Sequence, residues 1–454
     1  MYFCLSKLTR FFHGHMIKKT TSFDGTELIN TTIERPGKYD SLFRLLTNGN
    51  FIPRGAGLSY CLASAGTDSI SVDSSLFNRV LSFDKLNGLI RVEAGMSLGK
   101  LLSIVIPENY TFPVLPGYPR ITIGGCIGFN VHGKSQFDIG LFGDYVKSIK
   151  LFHPAHGEIE CNEKTNADIL ELTVGGFGLT GFITEVELKL VPLKSRFVQS
   201  SKVFVHNISE AVEVMTAKKH DYYSVYSWNN LNNKERNFGK GVVYLEKQVE
   251  RSDIESKIKK YNNLSSDNRG KFIMNFFNSL TVALECMAYY TMEVISKSES
   301  VQRIENVSFP INGKEIYFNL FGNKGLREYQ MIIPTESFTG FEKELMPLIR
   351  KTGIGITLGS LKLFKGTPRL LSFCKSGVCL AVDVPAGNKS IRFFNLLDAL
   401  VLKYNGIANI SKDSRLSSEV VKQMYPDYSE FISRIIKYEG NKPLNSELRK
   451  RLFR

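Results

Sequence analysis

The chain is poor in cysteine and has no long uncharged apolar run, and each shortage excludes a class of protein. Its seven cysteines are scattered, odd in number and without a CxxC pair. Neither a disulfide framework nor a zinc site is therefore predicted, and a reducing compartment fits best. No stretch reaches the roughly 18 apolar residues of a membrane-spanning helix, so no span is expected.

The most apolar segment, Phe277–Ile295, is interrupted by Glu285 and Glu293. We expect a buried helix there, and a helix lying on a membrane surface is the alternative. The amino-terminal sequence MYFCLSKLTRFFHGH has neither the apolar core nor the small-residue cleavage site of a signal peptide. The sequence leaves open whether Met1 or Met16 is the start.

Length and charge set further bounds. A chain of 454 residues exceeds the usual limit for one core, so two domains are expected. With 43% hydrophobic and 22% charged residues, the composition is that of a globular protein rather than a disordered one. The net charge of +14 favours acidic partners such as an anionic membrane, a phosphorylated substrate or nucleic acid. A solvated basic surface explains the same charge, and no nucleic-acid recognition motif accompanies it.

Periodicity and turn signals predict an α+β chain with a composition change after residues 192–195. Ser97 and Ser390 are expected as helix N-caps. Helices are predicted at 37–48, from 97, and at 166–172, 208–219, 337–351, 390–404, about 416–436 and 446–454. Strands are predicted at 69–73, 79–83, 89–93, 144–152, 182–191, 354–364, 370–375, 378–385 and 407–411.

Three glycine loops, at 54–57, 124–128 and 175–181, carry the strongest chemical signal. The second belongs to Gly117–Lys134, in which five glycines accompany a histidine and a lysine. Adjacent glycines let backbone N–H groups approach a phosphate closely. Residues 176–181 match GxGxxG, but a predicted helix precedes them and a strand follows, which is the reverse of a Rossmann site. Together the loops favour a cradle for an extended phosphorylated ligand.

The sequence resembles a known family in its motifs RGAGLSY, LPGYPRITIGG, FNVHGK and VGGFGLTGFI. These are similar to the FAD-binding domain of vanillyl-alcohol-oxidase-type (PCMH-type) flavoproteins. The resemblance is strongest to the family of decaprenylphosphoryl-β-D-ribose 2′-oxidase, the flavin subunit of an epimerase, and aldonolactone oxidases are more distant. It continues through the later motifs YQ, KLF, VDVP and KDSR, so it covers the chain from about residue 20 to the end.

The resemblance implies an α+β fold of two domains and a bound FAD. The FAD-binding domain is expected at 1–194, an inserted substrate domain at 195–408, and a carboxy-terminal return to the first domain at 409–454. We expect the FAD to be non-covalent, because the HGK motif is typical of relatives without a histidyl–flavin bond. No metal is predicted.

Positions that match the family's cofactor contacts are carried over residue by residue. They surround the diphosphate and ribityl chain, the isoalloxazine ring and the adenine end. The predicted FAD-binding residues are Pro53, Arg54, Gly55, Ala56, Gly57, Leu58, Ser59, Tyr60, Cys61, Leu62, Ala63, Gly117, Thr122, Ile123, Gly124, Gly125, Phe129, Asn130, Val131, His132, Ile183 and Asn409.

The resemblance also implies a set of reacting residues. Lys412 of KDSR is the principal candidate, either as a cation that orients a hydroxyl and stabilises its alkoxide or, if neutral, as a base. His132 and Tyr60 complete the predicted catalytic residues. The predicted substrate-binding residues are Lys134 and Lys362 for an anionic phosphate, Gln330 and Tyr60 for sugar hydroxyls, and Phe364, Cys379 and Lys412.

The chain departs from the family's pattern in several places. Cys61-Leu62 replaces a Gly-Asp pair, and a pocket cysteine falls at Ala381. A pocket asparagine falls at Cys379, and one of two paired glutamines falls at Glu328. These changes leave the exact substrate open more than the cofactor.

The function implied is oxidation of a secondary hydroxyl on a sugar, a polyprenyl-phosphoryl pentose, by hydride transfer to flavin N5. The keto sugar would pass to an NAD(P)H-dependent short-chain reductase that completes an epimerisation in cell-envelope polysaccharide synthesis. The expected location is cytoplasmic, peripheral on the inner face of an anionic membrane. An aldonolactone or polyol oxidase and a non-catalytic flavin-binding subunit are the alternatives. The sequence leaves open the sugar, the lipid, the electron acceptor and the oligomeric state.

Overall fold

The structure is a computed structural model that describes residues 11–12, 15–47, 49–232, 238–250 and 273–454. Met1 and the rest of the first ten residues lie outside the described residues, whereas Met16 lies in strand β2. In chain order the strands are β1 (Phe11–Phe12), β2 (His15–Thr21), β3 (Leu28–Glu34), β4 (Phe51–Arg54), β5 (Ile70–Asp73), β6 (Val80–Asp84), β7 (Leu89–Glu93), β8 (Tyr110–Thr111), β9 (Val146–His153), β10 (Gly157–Asn162), β11 (Phe182–Lys189), β12 (Val191–Pro192), β13 (Phe197–Val205), β14 (Ser224–Asn230), β15 (Lys240–Gln248), β16 (Glu299–Arg303), β17 (Leu326–Ile333), β18 (Leu358–Phe364), β19 (Gly377–Pro385) and β20 (Ile407–Ala408).

The helices connect and cover these strands. They are α1 (Tyr39–Thr47), α2 (Leu98–Val105), α3 (Ile123–Gly128), α4 (Gln136–Ile139), α5 (Ala167–Thr173), α6 (Ile208–Lys218), α7 (Ser279–Ile295), α8 (Ile304–Ser308), α9 (Ile316–Asn319), α10 (Thr335–Thr352), α11 (Asn388–Lys403), α12 (Ser418–Met424), α13 (Tyr428–Glu439) and α14 (Glu447–Leu452).

Two five-stranded sheets form the amino-terminal part. The first has the order β1-β2-β3-β5-β4, in which β5 pairs in parallel with β3 and with β4. The second has the order β10-β9-β11-β7-β6 and is antiparallel. Helix α5 precedes the third glycine loop and β11 follows it, so the helix–loop–strand order that argues against a Rossmann site is confirmed.

An antiparallel eight-stranded sheet, in the order β16-β13-β15-β14-β18-β19-β17-β20, occupies the region from residue 197 to 408. Helices α10 and α11 pack on one face through buried side chains such as Phe341 and Phe394 against Tyr329 and Met331. Because side chains alternate across a strand, the residues between these on β17 project from the opposite face. That opposite face carries the polar residues of the candidate site.

The mixed α+β class is confirmed. The domain boundaries at 194 and 408 stay predictions. The N-cap at Ser97 is confirmed, since its side chain accepts a hydrogen bond from Lys100 N. The N-cap prediction at Ser390 is wrong: helix α11 begins after Gly387, and the Ser390 hydroxyl instead accepts from Gly387 N at 3.0 Å.

Some predicted elements differ in extent or kind. Residues 370–375 form turns rather than a strand, because Leu370 takes a left-handed φ of 50° and Ser372 N donates to Arg369 O. The strand expected at 407–411 ends at Ala408, because Lys412 N donates to Asn409 O and closes a turn there. The stretch 416–436 divides into α12 and α13.

Helix α7 differs most from expectation. The predicted buried helix is instead largely exposed, with only Val282 and Cys286 buried among its described side chains. Among the described residues, no helix is long and apolar enough to cross a membrane.

Candidate active site

The three glycine loops come together, although they are far apart in the sequence. A Cβ on Gly55 of the first loop would overlap the Thr122 hydroxyl before the second. Phe177 N of the third loop donates to Gly128 O of the second at 2.8 Å. A Cβ on Gly178 would lie 3.8 Å from Pro53. Glycine at position 55 therefore lets the first loop approach Thr122 more closely than a side chain would permit, whereas Gly178 makes an ordinary contact with Pro53 and is favoured by its left-handed φ of 78°.

The backbone N–H groups of the loops differ in availability. Gly124 N donates to Ala94 O at 2.8 Å, and Gly125 N donates to the Thr122 hydroxyl at 3.2 Å. The adjacent glycines thus allow close packing, since a Cβ on Gly124 would lie 3.3 Å from Ala94. Their N–H groups are already hydrogen-bonded within the protein and are not available to bind an anion. Among the described residues, the amides of 55–57 donate to no protein acceptor, so the first loop is the better anion site.

Other predicted cofactor residues are held in defined positions. Asn130 has a left-handed φ of 42°, and its side chain accepts from Gly143 N at 2.9 Å and donates to the Ser372 hydroxyl at 3.2 Å. The β11–β9 ladder shifts register just after Ile183. Such a bulge redirects local backbone groups, which agrees with the expected backbone contact of Ile183 to the adenine end.

The Cys61-Leu62 departure is accommodated without backbone strain. Neither residue takes a left-handed φ among the described residues. Cys61 is buried, its thiol lies 3.7 Å from Ser411 O, and burial raises its pKa to about 12. The loop is also fixed by Leu62 N, which donates to Glu27 at 3.1 Å.

The cradle predicts a measurable loss of cofactor when Gly55 is changed. In Gly55→Ala the new methyl group would displace Thr122 or the loop itself, so FAD affinity should fall about tenfold, as overpacking costs roughly 1–3 kcal/mol. The measurement is flavin released on ultrafiltration of the purified protein. Gly37→Ala is the matched control, since the new Cβ would lie 3.8 Å from its nearest neighbour, Leu76 Cδ1. Equal retention by both variants would contradict the cradle.

Lys412 lies where the predicted cradle meets the eight-stranded sheet. Its Nζ is 3.1 Å from Glu328 Oε2 and 4.0 Å from the centre of the Tyr60 ring. The backbone fixes this arrangement, because Lys412 N donates to Asn409 O at 3.1 Å and Tyr60 N donates to Ser411 O at 3.3 Å. An ion pair and a cation–π contact both favour the charged ammonium, so the geometry supports Lys412 as a cation.

His132 is joined to the sheet through Gln330. Its Nε2 lies 3.3 Å from Gln330 Oε1, which also accepts from Asn409 Nδ2 at 2.6 Å, and its Nδ1 lies 3.2 Å from Gly133 O. Burial, with the nearby Lys362 and Lys412 charges, lowers the pKa of His132 to about 3. The imidazole is therefore neutral at physiological pH, and its one N–H donates to only one of the two carbonyls.

Lys362 and Lys134 have different surroundings. Lys134 donates to Val307 O at 2.8 Å and to Glu246 at 3.2 Å and lies 4.0 Å from the Tyr226 ring centre, so its ammonium is engaged within the protein. Lys362 is half-buried on the site face, and no described residue pairs with its Nζ. Burial and neighbouring lysines lower its pKa. Lys362 is therefore the stronger anchor for an anion.

Two predicted substrate residues are enclosed by protein. Phe364 is buried and packs its ring 4.8 Å from that of His132. Cys379 is buried opposite Lys362 in the β18–β19 ladder, and burial raises the pKa of its thiol to about 12. Both residues thus support the site from within the protein and are not at its solvent-exposed surface.

Sequence reasoning missed a carboxyl pair beside Lys412. Asp383 lies opposite Glu328 in the β17–β19 ladder and accepts from the Tyr317 hydroxyl at 3.0 Å. Burial and the Glu328 charge raise the pKa of Asp383 well above its ordinary value. The alternation of polar residues along β17 and β19 could have shown that they share a face. The sequence did not give the register between the two strands, which decides that Glu328 lies opposite Asp383.

A buried ionic clamp was missed as well. Arg415 donates to both Asp398 oxygens, at 2.6 and 3.0 Å, and to Asp413 at 2.7 Å. The Tyr329 hydroxyl donates to Asp398 at 2.7 Å. This clamp ties the segment that carries Lys412 to helix α11 and to β17.

Comparisons with known proteins agree with the cradle. The family described as "FAD binding domain" matches residues 45–162. The decaprenylphosphoryl-beta-D-ribose oxidase of Mycolicibacterium smegmatis is 28% identical over 390 residues, which are 84% of each chain. The D-lactate dehydrogenase of Anaerostipes hadrus is 29% identical over 129 residues, or 27% of each chain. The L-gulonolactone oxidase of Mus musculus is 28% identical over 163 residues, or 35% of this chain and 36% of its own.

A glycine loop with free amides, two further glycine loops packed beside it and a cation next to them are what an FAD-dependent oxidoreductase requires, and the matches identify the chain as one. The first of these similarities spans most of both chains, whereas the other two cover about a third or less. The chain contains an FAD-binding domain of the PCMH type and is similar over most of its length to a decaprenylphosphoryl-beta-D-ribose oxidase. The predicted family, enzyme class and cofactor are thereby confirmed. The predicted non-covalent attachment stays a prediction.

Proposed function

We propose that the enzyme oxidises a secondary hydroxyl of a polyprenyl-phosphoryl pentose such as decaprenylphosphoryl-ribose to a keto sugar. The observation that carries the proposal is the cluster of Lys412, Gln330 and Lys362 on one face of the sheet, beside His132. Similarity to the decaprenylphosphoryl-beta-D-ribose oxidase over 84% of both chains supports the same substrate class.

Each residue has a role that follows from its contacts. FAD, when bound, supplies a hydride acceptor at N5. The Lys412 ammonium would hold the substrate hydroxyl and stabilise the alkoxide that forms as the hydroxyl proton passes to water, while the carbon–hydrogen bond breaks. Gln330, fixed by Asn409, would orient a second hydroxyl, and Lys362 would pair with the phosphodiester. Burial and the Glu328 charge raise the pKa of Asp383 and so disfavour its charged form, which would reduce the negative charge around Lys412.

A soluble lactone or polyol oxidase is the second candidate. The match to L-gulonolactone oxidase over 35% of the chain favours it. That match covers much less of the protein than the first, and a free sugar would leave Lys362 without a counter-charge. The two candidates therefore differ in whether an anionic group is required.

Anaerobic mixing of the yellow protein with a panel of substrates tests the proposal. Polyprenyl-phosphoryl ribose and arabinose should bleach the flavin, while free pentoses and aldonolactones should not. Lys362→Met should raise the KM for phosphorylated substrates about tenfold or more, as loss of a charge-assisted hydrogen bond costs roughly 1.5–3 kcal/mol, with kcat little changed. Bleaching by free sugars alone would overturn the proposal in favour of the second candidate.

We propose further that the keto product passes to an NAD(P)H-dependent short-chain reductase, which reduces it to the epimer. A 2-keto sugar needs a hydride donor to regain a hydroxyl, and this chain offers no second cradle of the kind described above in its described residues. The proposed location is cytoplasmic, at the inner face of the membrane, where a lipid-linked sugar is available.

A further inference from the structure

Helix α7 turns its more apolar side to solvent. Its buried side consists of Val282 and Cys286, which pack against Trp228 and Tyr244 of the eight-stranded sheet. Six of its apolar residues have between 49% and 79% of their surface accessible, and five of them lie on the side that faces away from the sheet. We call these five the α7 apolar stripe: Leu280, Leu284, Met287, Val294 and Ile295.

The stripe follows from the helical period. Its residues are spaced by four, three, seven and one positions, so they project from one side of the helix, opposite Val282 and Cys286. At about 1.5 Å per residue the stripe extends for roughly 22 Å. A surface helix in water normally shows the reverse pattern, with polar residues outward. The stripe is therefore a surface that favours an apolar neighbour.

The charges of the helix are turned away from the stripe. Glu293 pairs with Lys202 at 2.5 Å, and Glu285 is half-buried beside the Cys286 thiol. Cations flank the helix: Lys240 lies 4.6 Å from the Tyr290 ring centre, and the exposed Lys297 follows the carboxy-terminal end. An apolar stripe without exposed carboxylates and with lysines beside it matches the interface of an anionic bilayer.

A lipid surface fits the stripe better than a second copy of the chain. A stripe one helix wide falls short of the roughly 20–30 residues that each partner contributes to a stable protein interface. Two copies, each with a net charge of +14, would also repel one another, whereas anionic lipid attracts the same charge.

The amino-terminal end of the helix approaches the candidate active site. The ring of Phe277 lies 6.1 Å from that of Tyr317, whose hydroxyl donates to Asp383. We propose that the α7 apolar stripe docks the protein onto an anionic lipid bilayer, with the helix lying in the plane of the interface. Docking would bring the side of the site that contains Tyr317 and Asp383 close to the membrane surface. Only the idea that a lipid-linked sugar enters there rests on the proposed function.

Cosedimentation of the FAD-loaded protein with vesicles tests the docking. The vesicles contain phosphatidylcholine with or without phosphatidylglycerol. We expect binding to the anionic vesicles, weakened by salt. Leu284→Gln/Met287→Gln/Ile295→Gln should lower the vesicle partition coefficient on the order of 100-fold, because three apolar side chains no longer insert.

The matched control is Leu86→Gln/Ile436→Gln, which removes apolar groups that are 92% and 52% exposed elsewhere and should bind as the wild type does. Unchanged flavin content and melting temperature establish that each variant is folded. Absent binding by the wild type, or equal binding by the triple variant, would overturn the proposal. So would a wild-type dimer that the triple variant converts to a monomer.

Vesicle binding requires no substrate, so its failure and a failure of the flavin-bleaching panel are separate results. If free sugars alone bleached the flavin while the stripe still bound vesicles, the proposed function would fall and the docking surface would stand. If the phosphorylated pentoses bleached the flavin but the protein did not bind vesicles, the proposed function would stand and the docking surface would fall.

Discussion

Lys412→Met is expected to leave a folded, yellow protein whose flavin is reduced by substrate at least about 1,000-fold more slowly. The side chain is 29% exposed, so its removal opens little of the core, and methionine keeps most of its length. What is lost is the cation that the ion pair with Glu328 and the Tyr60 ring hold at the site. Anaerobic stopped-flow measurement of flavin bleaching gives the rate.

Lys412→Arg separates the two roles that the sequence left open. Arginine keeps the charge but cannot act as a neutral base, because its pKa lies far above physiological pH. If a cation is needed, Arg should restore part of the rate that Met loses; if a base is needed, both variants should be equally slow. Lys403→Met is the matched control, since Lys403 pairs with Glu344 on the surface. Wild-type bleaching by Lys412→Met would refute the assignment.

Arg415→Met is expected to lower the free energy of unfolding by about 3–5 kcal/mol, because it leaves two buried carboxylates without their partner. The Arg415 side chain is 14% exposed, and Asp398 and Asp413 are 8% and 3% exposed. Urea denaturation followed by circular dichroism measures the change. Arg392→Met on the exposed side of the same helix, α11, should change the value by less than about 0.5 kcal/mol.

The pH dependence of the Arg415 variant adds an independent check. Burial raises the pKa of Asp398, and Arg415 opposes that rise. Without Arg415 the pKa of Asp398 in the folded state rises further above its value in the unfolded chain. A carboxyl group whose pKa is higher in the folded state stabilises that state when it is protonated. The penalty should therefore shrink as pH falls below neutral. A penalty that stayed constant or grew would argue against a buried, uncompensated carboxylate.

Much of the cofactor cradle could be predicted from the sequence, because its signal is local. Glycine clusters mark where backbones approach closely, and the helix–loop–strand order around residues 176–181 excludes a Rossmann site. The use of each glycine could not be predicted. Gly124 packs against Ala94 and donates its amide there, a contact between residues about thirty positions apart that no local pattern specifies.

The ionic partners were less predictable, since they depend on strand register. Lys134 and Glu246 pair across 112 positions, and Lys412 and Glu328 across 84. Each pair joins elements whose alignment is set by the whole sheet, so the sequence identifies the charged residues but not their neighbours. The exposure of α7 was missed as well. Apolar composition predicts burial but does not say which side of a helix the rest of the protein covers.

The carboxy-terminal segment contacts the residues that follow the first glycine loop at several points. Ser411 O accepts from Tyr60 N, Glu447 N donates to Ala65 O, and Leu448 N donates to Leu62 O. The segment that follows this loop is thus fixed by residues that are made long after it during synthesis. A nascent chain that ends before residue 411 lacks these contacts, so the support of the first glycine loop stays incomplete until that later segment has been made. A chain truncated before residue 411 should therefore hold flavin less tightly.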